Sequence, residues 1–123
     1  MSAFGSLRSI VPRRIWEGAL ARTVDGERVT VALVELAPGA AVPEHHHHHE
    51  QVGFVIQGSL TFTVGGETAR LGPGDTYRIP SAIPHRAVAG EEGAVVADVF
   101  APAREDWRSL ETAPVTSPRW PPS

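Results

Sequence analysis

Cysteine is absent from the 123 residues. Disulfides and thiolate chemistry are therefore excluded, and nothing in the chain fixes a redox compartment. No apolar run approaches the roughly 20 residues that a membrane-spanning helix needs. The first residues carry Arg8, Arg13 and Arg14 but lack the apolar segment of a secretory signal, so the default expectation is a cytoplasmic protein. A strong excess of either charge is also missing. Eleven basic and 14 acidic side chains leave a formal charge of -3, which gives no reason to expect nucleic acid or an anionic membrane as partner. There is no repeat of solenoid length. What is present is ordinary for one globular domain: 41% hydrophobic and 20% charged residues in a chain long enough for one core and too short for two.

Apolar runs in this chain are short and divided by glycine and proline. Residues 1–14 read as a lead-in and residues 15–20 as a first strand carrying Trp16. Residues 19–24 and 28–36 flank Asp25-Gly26, which predicts a hairpin closed by a type I′ turn with positive φ at both central positions. Further strands are expected at 52–56, 60–64, 67–71, 76–79, 86–89 and 94–100, separated by turns at Gly58, Gly65-Gly66, Gly72 to Asp75 and Gly90 to Gly93. Short strands at such spacing indicate an all-β sandwich or barrel. Residues 102–110 suggest a short helix, acidic early at Glu105 and Asp106 and basic late at Arg108. The domain is thus placed at 15–110. Prolines at 114, 118, 121 and 122 leave 111–123 an extended tail, with Trp107 or Trp120 as an anchor on a partner subunit.

The chain is organised around His45, His46, His47, His48 and His49, followed by Glu50 and Gln51. Five consecutive histidines can be an expression tag or an adventitious metal-binding tract, but this run is internal and lies between strand-like segments. On a strand, side chains alternate, so His45 and His47 share a face and can share a metal, while His46 points away. Imidazole suits zinc, copper, iron and nickel, and mixed nitrogen and oxygen sites also hold manganese.

The spacing around the run is regular. Gly39, His45, His47, Gln51 and Gly58 follow the pattern G-x5-H-x-H-x3-Q-x6-G, and Gly74, Pro80 and His85 follow G-x5-P-x4-H. These two motifs resemble those of the cupins, with Gln51 in the place of a glutamate, Ala82 in that of a glycine and Ala89 in that of an asparagine. The resemblance implies a cupin-type double-stranded β-helix, a jelly-roll barrel, with a divalent transition metal (zinc, nickel, manganese or iron) held by His45, His47, Gln51 and His85. Glu50 is the better metal acid and His49 shares the phase of His45 and His47, so both are rivals to Gln51, which has the spacing. A set of three imidazoles and an amide leaves the metal's charge uncompensated. Such a site attracts a small anionic substrate and favours Lewis-acid chemistry.

Asp98 interrupts the apolar strand at 94–100, and a charge there needs a reason. It is either paired with an arginine, Arg78 or Arg104, or used as an acid or base. It shares a face with Val96 and Phe100. The segment from Asp98 to Trp107 resembles the ending of small cupins of pectin breakdown that linearise unsaturated uronates. That resemblance implies catalytic roles for Asp98, Phe100 and Arg104. The expected function is metal-dependent ring opening and tautomerisation of an unsaturated uronate or related sugar acid: Asp98 moves the proton with a carboxylate that ionises easily beside the cation, and Arg104 pairs with the substrate's carboxylate. The alternatives are an iron or copper dioxygenase and a non-catalytic metal or small-ligand binding module. Apolar side chains on both faces of several strands predict a homodimer.

Overall fold

A computed structural model of the chain describes residues 2–122. Its eight strands are β1 (Arg13–Trp16), β2 (Ala19–Asp25), β3 (Thr30–Leu36), β4 (Ala41–His45), β5 (Glu50–Val64), β6 (Glu67–Leu71), β7 (Thr76–Ile79) and β8 (His85–Ala101). All pairings are antiparallel. Among the described residues no helix is long and apolar enough to cross a membrane.

Two strands are longer than the turn signals predicted. The segments at 52–56 and 60–64 are halves of β5, and β8 runs straight through the turn expected from Gly90 to Gly93. The first half of β5 pairs with β7 and the second half of β8; its second half pairs with β6 and the first half of β8. Register slips between Gly58 and Leu60, so both strands bend there and pass from one layer to the other. Gly58 has φ +77°, and a Cβ on it would overlap the carbonyl oxygen of Gly93; only glycine fits this corner. The two layers are β1-β2-β3-β8-β5-β7 and β4-β8-β5-β6. This is the all-β jelly-roll barrel expected from the sequence. Its core lies between the layers, where Val55 and Ile79 are each 1% exposed; full burial of such a side chain stabilises by about 1.5–3 kcal/mol.

Several local expectations change. The run at 15–20 contains a turn at Glu17 and Gly18, so β1 and β2 form a hairpin of their own. Asp25-Gly26 opens a four-residue loop closed by Gly26 N–H to Val29 O (2.8 Å), and neither residue has positive φ. The C-terminal helix is only a 3-10 turn at Glu105–Ser109. Trp107 is buried within its own chain, in edge-to-face contact with Phe100 (5.1 Å), so it anchors nothing outside. The tail straps its own barrel. Ala113 N–H donates to Pro12 O (2.9 Å), and Arg22, fully buried beside Glu35, donates to Thr116 O (2.9 Å). Arg119 closes the strap through its N–H to Glu35 (2.7 Å) and its guanidinium to Leu36 O (2.6 Å).

Candidate metal centre and its cavity

The barrel encloses a cavity of about 260 Å³ whose lining includes His45, His47, His85, Gln51, Asp98 and Arg104. That is near the small end of ligand pockets, suited to one small molecule. His45 ends β4 and faces His85 at the start of β8 in the strand register. His47 is not on a strand. The chain leaves β4 at His45 and bends through the histidine run, because the His47 carbonyl accepts Ala82 N–H (2.8 Å) instead of entering a ladder. Parity named the right pair, but a loop contact delivers His47.

One ring nitrogen from each of His45, His47 and His85 falls in a group whose members all lie within 4.8 Å of one another. Ring centroids are 4.3 Å apart for His45 and His85 and 4.8 Å for His47 and His85. Each Nδ1 faces a carbonyl: His45 to Pro43 O (2.9 Å), His47 to His49 O (3.0 Å) and His85 to Ile83 O (2.8 Å). Donation through Nδ1–H fixes one tautomer and leaves the Nε2 lone pair as the free donor. The Nε2 atoms of His47 and His85 are buried without any partner, a costly state for polar atoms that a bound cation relieves. Burial, followed for His47 by the charge of Arg104, lowers the pKa of His47 to about 4; burial likewise lowers those of His45 and His85. Neutral imidazoles with convergent lone pairs fit a divalent transition metal. His46 and His48 are exposed.

Of the three contenders for a fourth position, Glu50 is exposed and His49 does not belong to the three-histidine group, although it is buried. Gln51 lines the cavity, opposite Phe100 in the register of β5 and β8. Its Nε2 donates to Asp98 Oδ1 (3.0 Å), which leaves the amide oxygen as its remaining ligand atom.

Asp98 is buried and lines the same cavity as the histidines, in an inward row with Val96 and Phe100. No arginine pairs with it: Arg78 is exposed, and Arg104 is held by Asp106. Its partners are Tyr77, whose hydroxyl donates to Oδ1 (2.6 Å), and Gln51. Both bonds fall on Oδ1, and Oδ2 has no hydrogen-bond partner among the described residues. Burial raises the Asp98 pKa to about 6, against the lowering effect of Tyr77, Gln51 and Arg104.

Arg104 is buried rather than solvated, with its guanidinium 4.8 Å from the Phe100 ring and 4.2 Å from the Trp107 ring. Its Nε and Nη2 donate to the two carboxylate oxygens of Asp106 (3.1 and 3.0 Å). Burial opposes ionisation of Asp106, but these bonds and the arginine's charge outweigh it and hold its pKa below the usual range.

Sequence reasoning missed four contributors. Tyr77 shares the inward face of β7 with Ile79, and the two-residue spacing is the signal that finds it. Trp107, expected on a partner surface, and Asp106, expected only to complement a helix dipole, both line the cavity. Gly53 was passed over, yet a Cβ there would lie 2.6 Å from Asp98 Oδ1 and 2.7 Å from the Tyr77 hydroxyl, so its bareness makes room for that hydrogen bond.

Comparison with known proteins agrees with this geometry. A family model described as Cupin domain matches residues 32–100. The pectin degradation protein KdgF of Dickeya dadantii is 37% identical over 75 residues, which is 60% of this chain and 68% of that protein. Among solved structures, KdgF from Halomonas sp. superposes with a TM-score of 0.78 at 30% identity, covering 86% of this chain and 98% of that one. An RmlC-like cupin from Shewanella frigidimarina gives 0.79 at 27% identity, covering 86% and 96%.

Proposed function

The chain belongs to the cupin family, and on that premise we propose that it is a metal-dependent enzyme that opens and tautomerises an unsaturated uronate or related sugar acid. The similarity to two KdgF proteins, one of them named for pectin degradation, supports the substrate class. The observation that carries the reading is the setting of Asp98: one carboxylate oxygen is held by Tyr77 and Gln51, the other has no partner among the described residues, and the residue lines the cavity shared with three convergent imidazoles and Arg104.

A 4,5-unsaturated uronate opens when its C1–O5 bond breaks, the anomeric hydroxyl loses a proton and O5 gains one. The resulting enol becomes a ketone by losing its hydroxyl proton and gaining one at C4. Atoms and charge balance, so the reaction is an isomerisation and needs no redox cofactor. Asp98 Oδ2 takes up and returns the proton, and Tyr77 and Gln51 keep the carboxyl from turning. Arg104 receives the substrate's carboxylate, and Phe100 flanks the guanidinium. His45, His47 and His85, with Gln51 through its amide oxygen, would hold the divalent metal. When bound, it supplies Lewis-acid polarisation of the substrate's oxygens.

The test is turnover of a lyase-digested pectin or alginate, followed by loss of the conjugated double bond. Asp98→Asn keeps the shape and is expected to lower turnover by roughly 10²- to 10⁴-fold, with metal content and melting temperature unchanged. An Asp98→Asn protein that folds poorly but turns over normally per folded molecule would return Asp98 to a structural role. Oxygen uptake on the same substrate would instead favour the dioxygenase. The non-catalytic reading would be favoured by an Asp98 paired and buried without access to the cavity; the place of Asp98 in the cavity lining supports the catalytic one. We further propose that the chain works as a homodimer.

A further inference from the structure

We propose that Asp106 is a positioning residue for anion recognition: it grips Arg104 by one edge so that the other edge of the guanidinium meets the substrate's carboxylate. The inference rests on the sugar-acid reading of the cavity given above.

A guanidinium has five N–H groups arranged along two usable edges, one formed by Nε and an Nη, the other by the two Nη atoms. Asp106 occupies the first edge through Nε to Oδ1 (3.1 Å) and Nη2 to Oδ2 (3.0 Å). Nη1 has no hydrogen-bond partner among the described residues, and Arg104 lines the cavity. Nη1 and the second hydrogen of Nη2 therefore form a free two-pronged edge. The Phe100 and Trp107 rings, in edge-to-face contact with each other, pack against the guanidinium carbon at 4.8 and 4.2 Å and help to hold the group in place. The Arg104 backbone N–H is tied to Thr30 Oγ1 (2.9 Å), which fixes the base of the side chain.

Asp106 has no comparable ionic partner elsewhere. His49 Nε2 is 3.9 Å from it, beyond hydrogen-bond distance. Asp106 is also half-exposed, with 56% of its side chain accessible, so it is not retained as packing. A carboxylate placed beside an anion site repels the anion through its charge and helps only by orienting the arginine. The two effects have opposite signs, and that makes the role testable.

Metal-loaded wild type, Asp106→Asn and Asp106→Glu are titrated calorimetrically with D-galacturonate and with its neutral amide. Wild type is expected to prefer the acid. Asp106→Asn is expected to weaken the acid by about tenfold, as pre-organisation is lost, and to leave the amide within about twofold, while Asp106→Glu recovers part of the loss. Asp106→Ala, should Asn disturb the loop, must shift the acid in the same direction. Acid binding that is unchanged or tighter in Asp106→Asn overturns the positioning role and marks Asp106 as a competitor for Arg104. Wild type binding acid and amide equally overturns the anionic-substrate reading itself, and the proposal with it.

Discussion

His45, His47 and His85 each use Nδ1 on a backbone carbonyl, so metal affinity resides in three residues whose tautomer the main chain has set. Alanine at His85 is expected to abolish stoichiometric metal binding, while alanine at the exposed His46 leaves it near wild type; elemental analysis of dialysed protein reads the difference. Equal losses would mean that the run binds metal as an unstructured tract. A second residue carries a cost. Ala82, where the cupin motif has glycine, sits at φ +65° and is the only described non-glycine residue at positive φ. Its N–H holds the His47 carbonyl, so the strain belongs to the contact that places a ligand. Ala82→Gly is therefore expected to raise stability by roughly 1 kcal/mol, read as a higher denaturant midpoint with metal binding kept.

Among the elements, β5 and β8 do most to build the site. Each contributes to both layers, and the part they share in one layer places Gln51 opposite Phe100 and Gly53 opposite Asp98. β7 on the other side of β5 puts Tyr77 opposite Gly53, so the hydroxyl reaches Asp98 across a position with no side chain. Gly53→Ala adds one methyl group to that gap. The expected outcome is a loss of about 1–3 kcal/mol from overpacking, with turnover falling further than metal content because Asp98 is displaced and the histidines are not. Thermal melting and elemental analysis on one preparation separate the two. Retained turnover with full stability would show that the Tyr77–Asp98 bond is dispensable.

At the level of the whole molecule, the outer face of one layer is not covered by its own chain. Val24, Val31, Val99 and Val52 are consecutive register partners across β2, β3, β8 and β5, and Phe54 lies two residues along from Val52 on the same face. Val24, Val31, Val52 and Phe54 are all exposed. The tail straps only the neighbouring part of this face, over Arg22 and Glu35. An uncharged valine row meets a copy of itself without like-charge repulsion, so a second copy is its expected occupant. Light scattering at micromolar concentration should give the dimer mass, and Val31→Glu should give the monomer with the cavity intact. A monomer mass for wild type would reject the assembly.

Period-two alternation and covalent spacing determined what is local: an all-β chain, the inward row of Val96, Asp98 and Phe100, and the pairing of His45 with His47 ahead of His85. The inward row holds because a strand's side-chain direction follows from its own backbone, whereas His47 lies off the strand and reaches His45 through a loop contact. The tertiary structure decided the partners. Asp98 took Tyr77 and Gln51, 21 and 47 residues away, rather than an arginine, and no spacing in the chain encodes which strand will lie beside which. Arg104 met Asp106 only two residues on, yet that contact was equally hidden, because it depends on how the expected short helix reduces to a 3-10 turn at Glu105–Ser109. The long strands were hidden for a related reason: Gly58 and Gly90 to Gly93 signal turns locally, but pairing between β5 and β8 carries both strands through them as bends. Hydrogen bonding across a sheet is a property of two segments together, and one segment's residues state only half of it.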